Sequence, residues 1–255
     1  VKKGWRGLAF AAAVLLALAV ALGFWQASMI FPAPARGREP AYPDNVVRTP
    51  EAVFLYFHGP RVVAYFHGNG EDLADSIPMI SLLRSLGMGV LAVEYPGYGI
   101  AGGSPSERGA YAAAESALGW LHTEHGLGPD RVILLGQSLG TGVASEMASR
   151  QLGARVVLIS PFTSVVDMAR RMLPFVPASF VRHRFDTQSK AAGITVPVLI
   201  IHGTDDEVVP FTMGERLAPT FPHGQLVPVP GGRHNDLLTL HAIAVRNALS
   251  PFLRF

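Results

Sequence analysis

The stretch Val132-Ile133-Leu134-Leu135-Gly136-Gln137-Ser138-Leu139-Gly140-Thr141-Gly142-Val143-Ala144 decides the fold. Four aliphatic residues run straight into a Gly-x-Ser-x-Gly, and a helix-forming stretch begins at Leu139. A strand, a sharp turn and a helix in that order put Ser138 at the tip of the turn. Glycines on either side let the turn form and let strand and helix pack closely. Further along the chain lie similar short apolar runs: Arg61–Phe66, Val90–Glu94, Val156–Ile159, Val198–Ile201 and, as the last strand, Gln225–Val229. Runs of this kind suit strands buried on both faces. Helix-like stretches separate them at Leu73–Leu86, Ser106–His122, Leu139–Leu152, Thr163–Leu173, Thr212–Pro219 and Asn235–Leu249. The alternation predicts an α/β domain with a mostly parallel sheet, helices on both faces, and chemistry at the carboxyl ends of the strands.

A serine at that turn is a candidate nucleophile, and its hydroxyl needs a base, which in turn needs a carboxylate to orient it. In a strand–turn–helix setting of this type the order is Ser, then acid, then His. The strand Val198–Ile201 runs into His202-Gly203-Thr204-Asp205-Asp206-Glu207, so three acids stand beyond a strand end. Spacing alone does not choose among them; Asp206 is taken as the acid, with Asp205 as the alternative. Gln225–Val229 leads into Gly231-Gly232-Arg233-His234, a glycine-rich loop from which His234 can reach the sheet edge as the base. Other histidines have plainer roles. His122 and His125 suit a helix C-terminus, His241 falls in the last helix, His223 in a turn, and His202 at a strand end. The loop Phe66-His67-Gly68-Asn69-Gly70 follows another strand and supplies an oxyanion hole from the amide of Asn69, beside that of Leu139. His67 reads as a residue that orients this loop. Tyr56-Phe57-His58-Gly59 echoes Tyr65-Phe66-His67-Gly68, but Pro60 has no N–H to donate, so the first copy reads as a hairpin strand and turn.

Ahead of this domain, Gly7–Trp25 is nineteen residues without a charge, preceded by Lys2, Lys3 and Arg6. A helix of that length spans roughly 28 Å, close to the hydrocarbon thickness of a bilayer. Residues 1–30 are therefore expected to form an uncleaved membrane anchor. The positive flank puts the N-terminus in the cytoplasm and the domain on the extracytoplasmic side. A signal peptide cut after an Ala-x-Ala at residues 17–21, with a secreted domain, is the alternative. Residues 31–50 carry five prolines and read as a linker, and residues 51–255 as the folded domain.

The net charge of +2 owes its sign to the N-terminal cluster, because the remaining chain has 18 basic against 19 acidic residues. No basic stripe for nucleic acid follows from that balance. With no cysteine, thiol catalysis, disulfides and cysteine-held metals are excluded. No cofactor is called for. Within residues 161–196 an insertion mixes Met172, Leu173, Phe175, Val176 and Phe180 with Arg170, Arg171, Arg182 and Arg184. It reads either as a small cap that shapes an acyl pocket against a membrane or as a helix packed on the sheet with a basic edge.

Together Phe66–Gly70, Glu94–Glu107, Gly136–Ala144, Ser160–Ser164, His202–Pro210 and Gly231–Asp236 resemble the α/β-hydrolase superfamily. They are most similar to its Bem46-like branch of membrane-anchored serine hydrolases, with alpha/beta hydrolase domain-containing proteins 13 and 17. The resemblance covers nearly the whole domain. It implies an eight-stranded α/β-hydrolase sheet, an N-terminal membrane segment and hydrolysis of acyl esters or thioesters; some members remove palmitoyl groups from proteins. It also places the acid at the fifth position of His-Gly-x-x-Asp, which is Asp206. The expected partner is a small or lipid-like acyl substrate. A peptidase or acyltransferase shares the same acyl-enzyme chemistry, and a non-catalytic binding protein on this fold is the reading from another class. An epoxide hydrolase or dehalogenase would need an acidic nucleophile where Ser138 stands.

Overall fold

The computed structural model describes residues 29–34, 37–172 and 177–254. The predicted membrane segment and its cleavage alternative lie outside them. No helix among the described residues is long and apolar enough to cross a membrane.

In chain order the strands are β1 (Val46–Arg48), β2 (Val53–Phe57), β3 (Val62–Phe66), β4 (Gly89–Glu94), β5 (Val132–Gln137), β6 (Arg155–Ile159), β7 (Val198–Gly203) and β8 (Gly224–Val229). The helices are α1 (Ile77–Ser85), α2 (Glu107–His125), α3 (Leu139–Ser149), α4 (Val165–Met172), α5 (Thr187–Ala191), α6 (Phe211–Leu217) and α7 (Ala242–Leu253). One sheet takes the order β1-β2-β4-β3-β5-β6-β7-β8. Strands β3 to β8 are parallel, and β2 runs antiparallel to both β1 and β4. Alternate residues of the central strands feed two cores. Val62, Ala64, Leu134, Val156 and Ile200 face α2 and α3 on one side; Val63, Tyr65, Ile133, Leu135 and Ile201 face α1 and α7 on the other. That two-sided burial is why these strands read as continuous apolar runs.

Two expectations need correction, the linker and the start of the last helix. Residues 31–50 are not a free linker: Phe31 is only 5% exposed and packs edge-on against the His183 and Phe185 rings, and β1 lies inside the stretch. The echo strand β2 forms a hairpin, as expected, with β1 as its partner; on its other edge β2 pairs with β4, which lies between it and β3. The last helix begins at Ala242 rather than Asn235. Asp236 accepts the amides of Thr239, Leu240 and His241 through its carbonyl and that of Arg233 through its side chain, closing a turn before the helix starts. His241 therefore stands at the helix N-cap.

Candidate active site

Strand β5 delivers Ser138 in a strained backbone, φ 48° and ψ −115°, a region that non-glycine residues rarely occupy. Neighbouring glycines permit it. A Cβ on Gly136 would strike the carbonyl oxygen of Gly140, and one on Gly140 would strike the carbonyl oxygen of Phe66 on β3. Replacing Gly140 with Val is therefore expected to cost at least about 3 kcal/mol of folding stability, because backbone rather than a side-chain tip must move. A urea midpoint unchanged from that of the parent chain would contradict this packing.

The structure brings the three predicted side chains together from three loops at the carboxyl edge of the sheet. His234 Nε2 is 3.0 Å from Ser138 Oγ, and His234 Nδ1 is 2.8 Å from Asp206 Oδ2. Asp206 is buried, and its other oxygen accepts the amides of Val208 at 3.0 Å and Val209 at 2.7 Å. Burial pushes this carboxyl up, but bonds from His202, His234 and the Val209 amide outweigh it and hold the group well below the usual carboxylate range. The alternative acid, Asp205, is exposed and accepts from the Thr204 hydroxyl instead. His202 is structural, as expected, yet not remote: its Nε2 donates to the Val209 carbonyl at 2.9 Å and lies 3.4 Å from Asp206 Oδ2. Gly214 leaves room for that ring.

Leu139 opens α3, so its N–H has no carbonyl four residues back. Asn69 lines the same cavity, and among the described residues no hydrogen-bond acceptor is found for its N–H. Two residues that sequence reasoning passed over tie this loop to the Ser138 turn. Glu71 accepts the Gly68 amide at 2.7 Å and the Gln137 side-chain amide at 3.2 Å, and Gln137 accepts from the Tyr65 hydroxyl at 3.0 Å. Gln137 occupies the variable position of Gly-x-Ser, and nothing in the motif marks it.

The cavity measures about 440 Å³. Its apolar wall is one face of α4, where Val165, Met168, Ala169 and Met172 recur at helical spacing, with Phe162 and Val181 beside them. Phe180 does not line it and stands 49% exposed; Leu173, Phe175 and Val176 lie outside the described residues. Met29 and Ile30 complete the wall from the N-terminal side. A second cleft of about 530 Å³ lies beside α2, lined by charged groups such as Arg108, Glu115 and Arg150, and contains none of Ser138, Asp206 and His234. Among the described residues no group of three or more histidine or acidic side chains converges as a metal site.

Comparison with known proteins agrees with this architecture. Residues 61–196 match the family model described as alpha/beta hydrolase fold. The chain belongs to the α/β-hydrolase superfamily. An uncharacterized protein of Mycobacterium tuberculosis is 35% identical to this α/β-hydrolase over 225 residues, 84% of this chain and 80% of that protein. Alpha/beta hydrolase domain-containing protein 17C of Xenopus tropicalis is 36% identical over 177 residues, 69% of this chain and 56% of that protein. Among solved structures, the Pyrococcus furiosus esterase Pf2001 superposes with a TM-score of 0.70 at 20% identity, covering 87% of this chain and 98% of the esterase. A monoacylglycerol lipase of Paleococcus ferrophilus gives 0.63 at 20% identity, covering 80% and 98%. At such identities the two structures speak for the fold.

Proposed function

We propose that this α/β-hydrolase is a serine hydrolase that cleaves acyl esters or thioesters. The observation that carries the reading is the Ser138–His234–Asp206 chain, with links of 3.0 and 2.8 Å, at one end of an apolar cavity. Ser138 Oγ attacks the acyl carbonyl while His234 Nε2 takes its proton. Asp206 keeps the ring oriented and stabilises the imidazolium that forms. The amides of Asn69 and Leu139 hold the oxyanion, each contributing about 3–4 kcal/mol in the transition state. The leaving group departs with the proton from His234, and water releases the acyl group by the same steps.

In this proposal the expected anchor, residues 1–30, crosses the membrane through Gly7–Trp25, with the hydrolase domain on the extracytoplasmic side. Two sequence features support it: the uncharged stretch Gly7–Trp25 and its basic flank. Residues 51–255 are the hydrolase domain, with residues 161–196 as its cap, and Met29 and Ile30 line its cavity from the preceding segment. Exposed Met29, Met172 and Val208 at the cavity suit an acyl chain drawn from a lipid phase.

Intact-mass detection of a fluorophosphonate adduct on the full chain tests the reading. One adduct, lost in Ser138→Ala and in His234→Ala, is the expected result; no adduct on a folded wild-type chain overturns it. The acyl pocket has its own test. Met168→Trp fills the cavity and is expected to lower kcat/KM for dodecanoyl relative to butanoyl esters by roughly 10-fold or more, since each buried methylene contributes about 0.8 kcal/mol. Equal loss on both chain lengths would move the acyl site elsewhere.

A further inference from the structure

Beneath the Asn69 loop lies a buried ion pair that the proposed mechanism does not use. His67 and Glu94 are each 1% exposed, and His67 Nε2 is 3.0 Å from Glu94 Oε1. The other ring nitrogen, Nδ1, is 2.9 Å from the carbonyl oxygen of Gly68. Both contacts are to acceptors, so both require a proton on the ring. Glu94 is the single acid of an otherwise apolar buried strand, and its second oxygen accepts the Leu73 amide at 3.1 Å. The Tyr95 hydroxyl donates to the His67 carbonyl at 2.8 Å, and Gly99 leaves the space that the Glu94 carboxylate fills.

We infer that His67 and Glu94 are positioning residues that aim the Asn69 amide at the oxyanion. The inference rests on the serine-hydrolase reading of the site. In a trans peptide the carbonyl and the following N–H point in opposite directions. Holding the Gly68 carbonyl against the ring therefore turns the Asn69 N–H away from His67. Glu71 fixes the other side of Gly68 through its amide, so the residue before Asn69 is gripped at both of its polar groups.

The grip depends on the ring carrying two protons. Burial lowers the His67 pKa; the bond and charge of Glu94, the Gly68 carbonyl and the Glu71 charge oppose it and together outweigh it, so the net shift is upward. The other groups facing the pair are the Tyr95 and Tyr98 rings, whose phenols burial keeps protonated, and Asp72, which burial raises and Arg38 lowers. When the ring loses a proton at alkaline pH, its remaining one goes to Nε2, because the carboxylate repels a lone pair more strongly than the neutral carbonyl does. Nδ1 then faces the Gly68 carbonyl lone pair to lone pair, and the peptide is released. Wild-type kcat should thus fall as pH rises through the His67 pKa, above its ordinary 6.5.

Two variants of the full chain test this. His67→Leu is expected to lower kcat about 10²-fold with KM nearly unchanged, the signature of a lost oxyanion donor. Glu94→Gln is expected to lose the alkaline fall, because the new amide donates to Nε2 and leaves the proton on Nδ1. A merely structural role would alter yield or melting but not the pH profile. Undiminished kcat in folded His67→Leu overturns the inference; should that variant fail to fold, superimposable pH profiles for wild type and Glu94→Gln overturn it. A wild type that takes no fluorophosphonate fails at the earlier step and sinks the serine-hydrolase reading instead.

Discussion

Ser138→Ala is expected to lower kcat for a chromogenic acyl ester by about 10⁶-fold, leaving a residual rate of order 10³ over water. The size follows from the division of labour in the site. Without Oγ there is no acyl-enzyme, and water must attack directly from a position that the turn reserves for the serine. The oxyanion amides of Asn69 and Leu139 remain, and they account for the residue of catalysis. His234→Ala should cost a similar factor, since Oγ, 3.0 Å from His234 Nε2, would have no base. The double variant should be no worse than either single one, because the two side chains act as one unit. Active-site titration before the rate measurement checks that residual activity is not contamination. A Ser138→Ala chain retaining more than about 1% of kcat would remove Ser138 from the nucleophile role.

The core strands were legible because two-sided burial demands β-branched and aliphatic residues without interruption, as Val62–Phe66 and Val132–Leu135 show. The Ser138 turn was legible for a related reason: its glycines are required by backbone collisions that no side chain avoids. Other features left little trace. Strand β1 is three residues long and sits among prolines, so nothing in its pattern separates it from a connecting segment. Met29 and Ile30 read as the tail of an apolar stretch although they line the cavity, and Phe31 reads as the start of a linker although it is buried against the domain. Glu94 did carry a signal, a lone carboxylate closing the run Val90-Leu91-Ala92-Val93, but an acid at a strand end is also an ordinary exit to solvent. Its burial against His67 arises from the pairing of β3 with β4, which matches Phe66 with Val93 and which no local pattern encodes. Asp236 likewise hid the true start of α7, because its hydrogen bonds reach back and forward over a stretch that is otherwise good helix.

Asp206→Asn is expected to lower kcat about 10⁴-fold while leaving the cavity intact. An asparagine oxygen can still accept the amides of Val208 and Val209, which fixes the side chain in place. Its NH2 group then faces His234 Nδ1, where the carboxylate oxygen had been at 2.8 Å. The ring can only accept from it, so its proton moves to Nε2 and points at Ser138. A base that already carries a proton on that nitrogen cannot take another from the serine. Asp205→Asn, by contrast, changes an exposed group bonded to Thr204 and should leave kcat within about 3-fold; equal effects of the two substitutions would return the choice between them to an open question. Stability gives a second readout. The folded pKa of Asp206 is depressed, so its contribution is full above the ordinary carboxylate value of 3.8 and is lost as pH falls through the depressed one. The asparagine variant has no such proton to bind, so the stability gap between the two chains should narrow on acidification below 3.8. A gap independent of pH would mean that the carboxylate is not held in the ionised form by the bonds from His202, His234 and Val209.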